Sequence, residues 1–110
     1  MKNLVPRAQK VEYGVLYKTD GAVVDVVPGN GRRFSLEELQ KYVGGDVERV
    51  ICAVRFNCAY VNEEGALRNL PPNPHTWTVL KREVYALNGY AAGWRVSGNI
   101  LMVGKKAVQP

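Results

Sequence analysis

Apolar residues in this chain fall in short blocks of strand length, interrupted by turn-forming residues and by two stretches of helical period. Residues 11–17 are rich in Val and Tyr and read as a strand. Thr19-Asp20-Gly21 follows as a turn, because Asp-Gly supplies the positive φ that a tight hairpin needs. Residues 22–27 return as a second strand, half-buried, with Asp25 on the solvent side. The period then changes. Leu36, Leu39 and Val43 are spaced i, i+3, i+7, the apolar face of a helix. Ser35 stands at its N-cap with Glu38 at N3, a capping box, and Phe34 precedes the cap, placed to staple onto Leu39. Gly44-Gly45 ends the helix, Gly44 taking the left-handed position. A helix of about two turns does not hold alone, so residues 36–43 must pack on a sheet.

Residues 47–54 and 58–61 read as the next strands, joined by a turn at Arg55-Phe56-Asn57. Asn62-Glu63-Glu64-Gly65 is another turn, and residues 66–70 continue extended. Leu70-Pro71-Pro72 is unsuited to a central strand. Asn73-Pro74 has the cap and first-turn residues of a second helix, running from His75 to about Tyr85 or Leu87, with Trp77, Leu80 and Val84 buried. Residues 94–96 extend again, 100–103 form a final apolar strand, and 104–110 read as a tail. The order β-β-α-β-β-α-β predicts one α+β domain over residues 1–110, a mostly antiparallel sheet with two helices packed on it.

Composition narrows the setting. The 110 residues suffice for one modest core. No apolar run approaches the roughly 20 residues of a membrane span. The start MKNLVPRAQK lacks the apolar segment of a secretory signal, so a cytosolic protein is expected. Cys52 and Cys58 are then expected as reduced, buried small hydrophobes. The net charge of +5 favours anionic partners. The basic residues are scattered, without the dense stripe and interleaved aromatics of a nucleic-acid binder, so nucleic acid ranks lower as a partner.

Catalytic chemistry is thin. His75 is the single histidine, which rules out a two-histidine phosphodiesterase centre within one chain. No cluster has metal-ligand spacing, neither Glu37/Glu38 nor Glu63/Glu64 makes a convincing acid/base dyad, and no metal or cofactor is expected; a binder is favoured over an enzyme on a nucleotide or phosphate ester, for which His75 is the candidate general base. Two stretches can hold an anion. In the first, Gly29-Asn30-Gly31-Arg32-Arg33 runs into the helix start at Ser35, with Asn30, Arg32 and Arg33 as ligand-binding candidates. It lacks the Gly-Lys-Ser/Thr ending of a P-loop. In the second, Asn73, His75, Thr76 and Trp77 open the second helix, and Trp77 or Trp94 offers an aromatic face to a base.

Three segments together carry a family resemblance: residues 34–45 (FSLEELQKYVGG), Val61-Asn62-Glu63-Glu64-Gly65 with Leu70-Pro71-Pro72-Asn73, and residues 98–104 (GNILMVG). In order and spacing the chain resembles the domain-of-unknown-function 3846 family, common in bacteriophages and mobile genetic elements, over about residues 13–104. The resemblance implies a small freestanding domain at work in a host cytoplasm, and it brings no catalytic residues. With the charge and loop chemistry, it points to a small ligand-binding protein that sequesters a nucleotide immune signal, such as a cyclic nucleotide, without turnover. Such a protein is expected to be a homo-oligomer, since two copies double the phosphate-binding groups. The alternatives are an inhibitor of a host defence enzyme, binding through exposed Tyr42, Tyr60, Tyr85 or Tyr90, or a nucleic-acid accessory protein.

Overall fold

A computed structural model of the protein describes residues 13–51, 57–76, 79, 95–104 and 107. The elements are β1 (Gly14–Tyr17), β2 (Val23–Val26), α1 (Leu36–Val43), β3 (Val47–Ile51), β4 (Asn57–Asn62) and β5 (Ile100–Gly104). The five strands form one sheet in the order β2-β1-β5-β4-β3, with every neighbouring pair antiparallel. Local hairpins supply the two flanks, β1 with β2 and β3 with β4. The last strand in sequence, β5, joins them at the centre, and all five of its residues are buried.

Strand alternation sorts the core into two faces. Leu16, Cys58, Tyr60, Leu101 and Val103 lie under Phe34, Leu39 and Val43. Tyr17, Ala59, Val61, Ile100 and Met102 lie on the other face, with Val96 and partly buried Val79 against them. The predicted capping box is present at α1, and Gly44 ends the helix at φ 83°. Phe34 is buried because β1 has no side chain beneath it. A Cβ on Gly14 would come within 3.0 Å of the Phe34 ring. Leu36, expected on the apolar face, is instead 59% exposed, so Leu39 and Val43 carry the packing.

Other expectations need correction. Two helices were expected on the sheet, whereas α1 is the complete helix among the described residues. At the second site Thr76 and Val79 are helical, and the Val79 N–H donates to the His75 carbonyl at 2.9 Å. The rest of that predicted helix lies outside the described residues, as do Tyr85 and Tyr90. Residues 66–70 do not continue extended. They coil back through bonds from Arg68 N–H to the Glu64 carbonyl and from Leu70 N–H to the Gly65 carbonyl, with Asn69 at φ 57°. This coil packs closely on the chain after Val96: a Cβ on Gly65 would collide with the Ser97 carbonyl oxygen. Ala107, assigned to a tail, is buried, and its carbonyl accepts from the Phe34 N–H at 2.7 Å. Tyr60, a candidate exposed anchor, is buried and Tyr42 half-buried. Cys58 is disulfide-bonded, against the expectation of a reduced thiol; Cys52, the chain's other cysteine, lies outside the described residues.

Candidate functional site: two loops at helix starts

The loop before α1 is built from its own polar groups. The Asn30 side-chain oxygen Oδ1 accepts from the N–H groups of Arg32 and Arg33, at 2.8 and 3.0 Å. The Gly31 N–H donates to the Pro28 carbonyl, and the Phe34 N–H to Ala107. The Glu38 carboxylate accepts from the Gly29 N–H at 2.7 Å and from the Ser35 N–H at 2.8 Å. In return the Ser35 hydroxyl accepts from the Glu38 N–H at 3.1 Å. Every amide from Gly31 to Ser35, and that of Gly29, therefore already has an acceptor. The anion cradled here is the chain's own. The bonds from Ser35 and Gly29 hold the Glu38 carboxyl below its ordinary pKa, an effect to which the Ser35 hydroxyl and nearby Lys41 add. What the loop presents outward is Arg32 and Arg33. Both are exposed, and no described residue takes either guanidinium.

The second loop is tied inward. Asn73 is fully buried. Its side-chain amide donates to the Tyr17 and Gly98 carbonyls, each at 2.9 Å, and its carbonyl oxygen accepts from the His75 N–H at 2.8 Å. Thr76, also buried, donates its hydroxyl to the backbone carbonyl of Asn73 at 2.8 Å and accepts from the Val96 N–H at 2.9 Å. The His75 ring lies 5.3 Å from the Tyr17 ring, and its Nε2 is 2.8 Å from the Gly21 carbonyl oxygen. A carbonyl oxygen can only accept, so in this contact Nε2 is the donor. The Tyr17 hydroxyl is pushed above its ordinary pKa by burial and then by the Asp25 carboxylate. Trp77 and Trp94 lie outside the described residues.

The two loops do not converge. The first packs at the end of the sheet where Gly14 and Val26 pair, and α1 covers the face of Leu16. The second meets the opposite ends of the same strands, at Tyr17 and Gly21, with Val79 on the face of Ile100. Asn30, Arg32 and Arg33 are thus separated from Asn73, His75 and Thr76 by the sheet itself. Among the described residues no three His, Cys, Asp or Glu side chains gather as a metal site, and no helix is long and apolar enough to cross a membrane.

The residues that carry the family resemblance turn out to be builders. Besides Asn73, Asn62 donates to the Val43 carbonyl at 3.2 Å and accepts from the Glu64 N–H at 2.8 Å. Asn99 accepts from the Thr19 N–H and donates to the Tyr42 carbonyl, both at 3.1 Å. Sequence reading passed over Asn62 and Asn99; their one signal was an Asn next to turn residues in each quoted segment. The family model described as Domain of unknown function (DUF3846) matches residues 14–108. The chain belongs to this family. No curated protein and no solved structure matches the DUF3846 chain. What the DUF3846 segments visibly do here is fasten α1, the β1–β2 hairpin and the Thr76 turn to the sheet.

Proposed function

We propose that the domain is a binding module that captures a phosphate-bearing small molecule of the cyclic-nucleotide class without turning it over. The observation that carries this reading is the pair Arg32 and Arg33, two consecutive exposed arginines on a loop whose backbone is already held by Asn30, Glu38 and Ala107. A pre-organised loop loses little freedom on binding, and Arg offers phosphate a bidentate contact. With the loop amides committed internally, the affinity rests on the side chains. A homo-oligomer would supply a second arginine pair. Work in a host cytoplasm on behalf of a phage or mobile element, by sequestering a nucleotide immune signal, is the setting that this reading implies.

The test is a thermal-shift panel of cyclic di- and trinucleotides, ADP-ribose derivatives and common nucleotides, with the ligand recovered after heating and checked by chromatography. A rise in melting temperature that disappears in the Arg32→Ala/Arg33→Ala variant, with intact ligand released, supports the reading. A shift that survives the double substitution, or a ligand recovered in altered form, overturns it.

A further inference from the structure

The sheet has two edges, and they differ in how they are protected. At β3 the edge carries exposed Glu48 and Arg49, and its register shifts between Arg49 and Ile51. A break in register is an ordinary means of keeping an edge from accepting another strand. At β2 no described strand pairs with the outer side, and the register against β1 is unbroken from Gly14–Val26 to Tyr17–Val23. Val23, Val24 and Val27 are exposed at 45%, 41% and 60%.

The ladder phase shows which backbone groups face out. The Lys18 N–H donates to the Ala22 carbonyl, making that a hydrogen-bonded pair. Pairs alternate along an antiparallel ladder, so Leu16–Val24 and Gly14–Val26 are hydrogen-bonded and Tyr17–Val23 and Val15–Asp25 are not. Val24 and Val26 therefore spend their N–H and C=O on β1, while Val23 and Asp25 direct theirs outward. Val23 and Asp25 also share the sheet face of Tyr17 and Val15, their cross-strand partners.

We infer that the β2 edge accepts an extended segment of a partner protein by strand addition, a segment with a Lys or Arg opposite Asp25 and apolar residues two positions to either side. Charge selects this occupant over a second copy of the chain. Two β2 strands paired antiparallel about a two-fold axis at Val24, Asp25 or Val26 place Asp25 opposite the copy's Asp25 or on the adjacent diagonal, at about 7–8 Å. That repels, whereas a basic residue in the same place pairs. This surface is separate from the arginine loop and does not depend on the function proposed above.

The experiment pans a random heptapeptide display library on the immobilised full chain. The expected enrichment is for apolar–x–Lys/Arg–x–apolar peptides, and a synthetic peptide of the enriched sequence should bind Asp25→Lys about tenfold more weakly, the combined effect of losing an attractive cross-strand pair and creating a repulsive one. Val23→Pro, which removes an outward N–H without breaking a bond to β1, should abolish binding, and Arg32→Ala/Arg33→Ala should leave it intact. Absence of enrichment, enriched peptides without a basic centre, or equal binding by Asp25→Lys overturns the inference. So does a dimer in light scattering that Val23→Pro dissolves, because the edge would then belong to a second copy.

Discussion

The start of α1 and the helical turn at Thr76 use the same local device, a side-chain oxygen that accepts from a backbone N–H two or three residues on. Around α1 most of the polar partners are near neighbours. Ser35 and Glu38 serve each other, Asn30 serves the next two arginines, and these groups sit at the surface. At Asn73 the oxygen does the capping, but the amide nitrogen reaches the Tyr17 and Gly98 carbonyls, across 56 and 25 residues of sequence. One device closes a helix and the other closes the fold. The difference lies in the chemistry of the caps. A serine hydroxyl has one proton to give, whereas an asparagine amide accepts with one atom and donates twice with the other.

Substitutions that keep the acceptor and remove the donors separate the two roles most sharply. Asn73→Asp preserves an N-cap oxygen but turns a carboxylate toward two buried carbonyls, so a loss of about 3 kcal/mol or more is expected, read as a lowered urea midpoint at neutral pH. A loss below about 1 kcal/mol would mean that Asn73 is an ordinary cap. Thr76→Val keeps the shape and deletes the hydroxyl between the Asn73 carbonyl and the Val96 N–H. Leaving that buried donor without a partner is expected to cost about 1–2 kcal/mol by the same measurement.

This contrast also explains what was legible in the sequence. The helix at 36–43 could be read because cap, period and stop all lie within a dozen residues of one another. The Thr19-Asp20-Gly21 turn was readable for the same reason; it forms a three-residue loop with Gly21 at φ 95°. The central place of β5 could not be read, since only long-range pairing with both β1 and β4 defines it. Nor could the burial of Ala107, whose carbonyl meets the Phe34 N–H from far along the chain, or the exposure of Leu36, whose spacing fits the apolar face equally well. In the candidate site, Asn30, Arg32, Asn73 and Thr76 are residue types suited to an anion. Their partners are what decide the outcome, and the decisive ones, the Tyr17 and Gly98 carbonyls, leave no local mark.

The surface device should respond more weakly and in a different way. Ser35→Ala removes one cap acceptor and is expected to cost about 1 kcal/mol, measured by the same denaturation. The smallest effect, and the most diagnostic, is the acid response of Glu38. Its folded pKa lies below the ordinary value of 4.5, so just below that pH the unfolded chain binds the extra proton and the folded chain does not. Stability from this group is therefore complete above about pH 4.5 and is lost as the pH falls through the lower, folded pKa. Glu38→Gln cannot titrate, so it should melt lower than the parent at neutral pH, and the gap should narrow as both are acidified. If the gap stayed constant across that window, Glu38 would not be the anion its loop holds. The Gly29 and Ser35 amides would then be open to a phosphate from outside, and the ligand site would include backbone as well as Arg32 and Arg33.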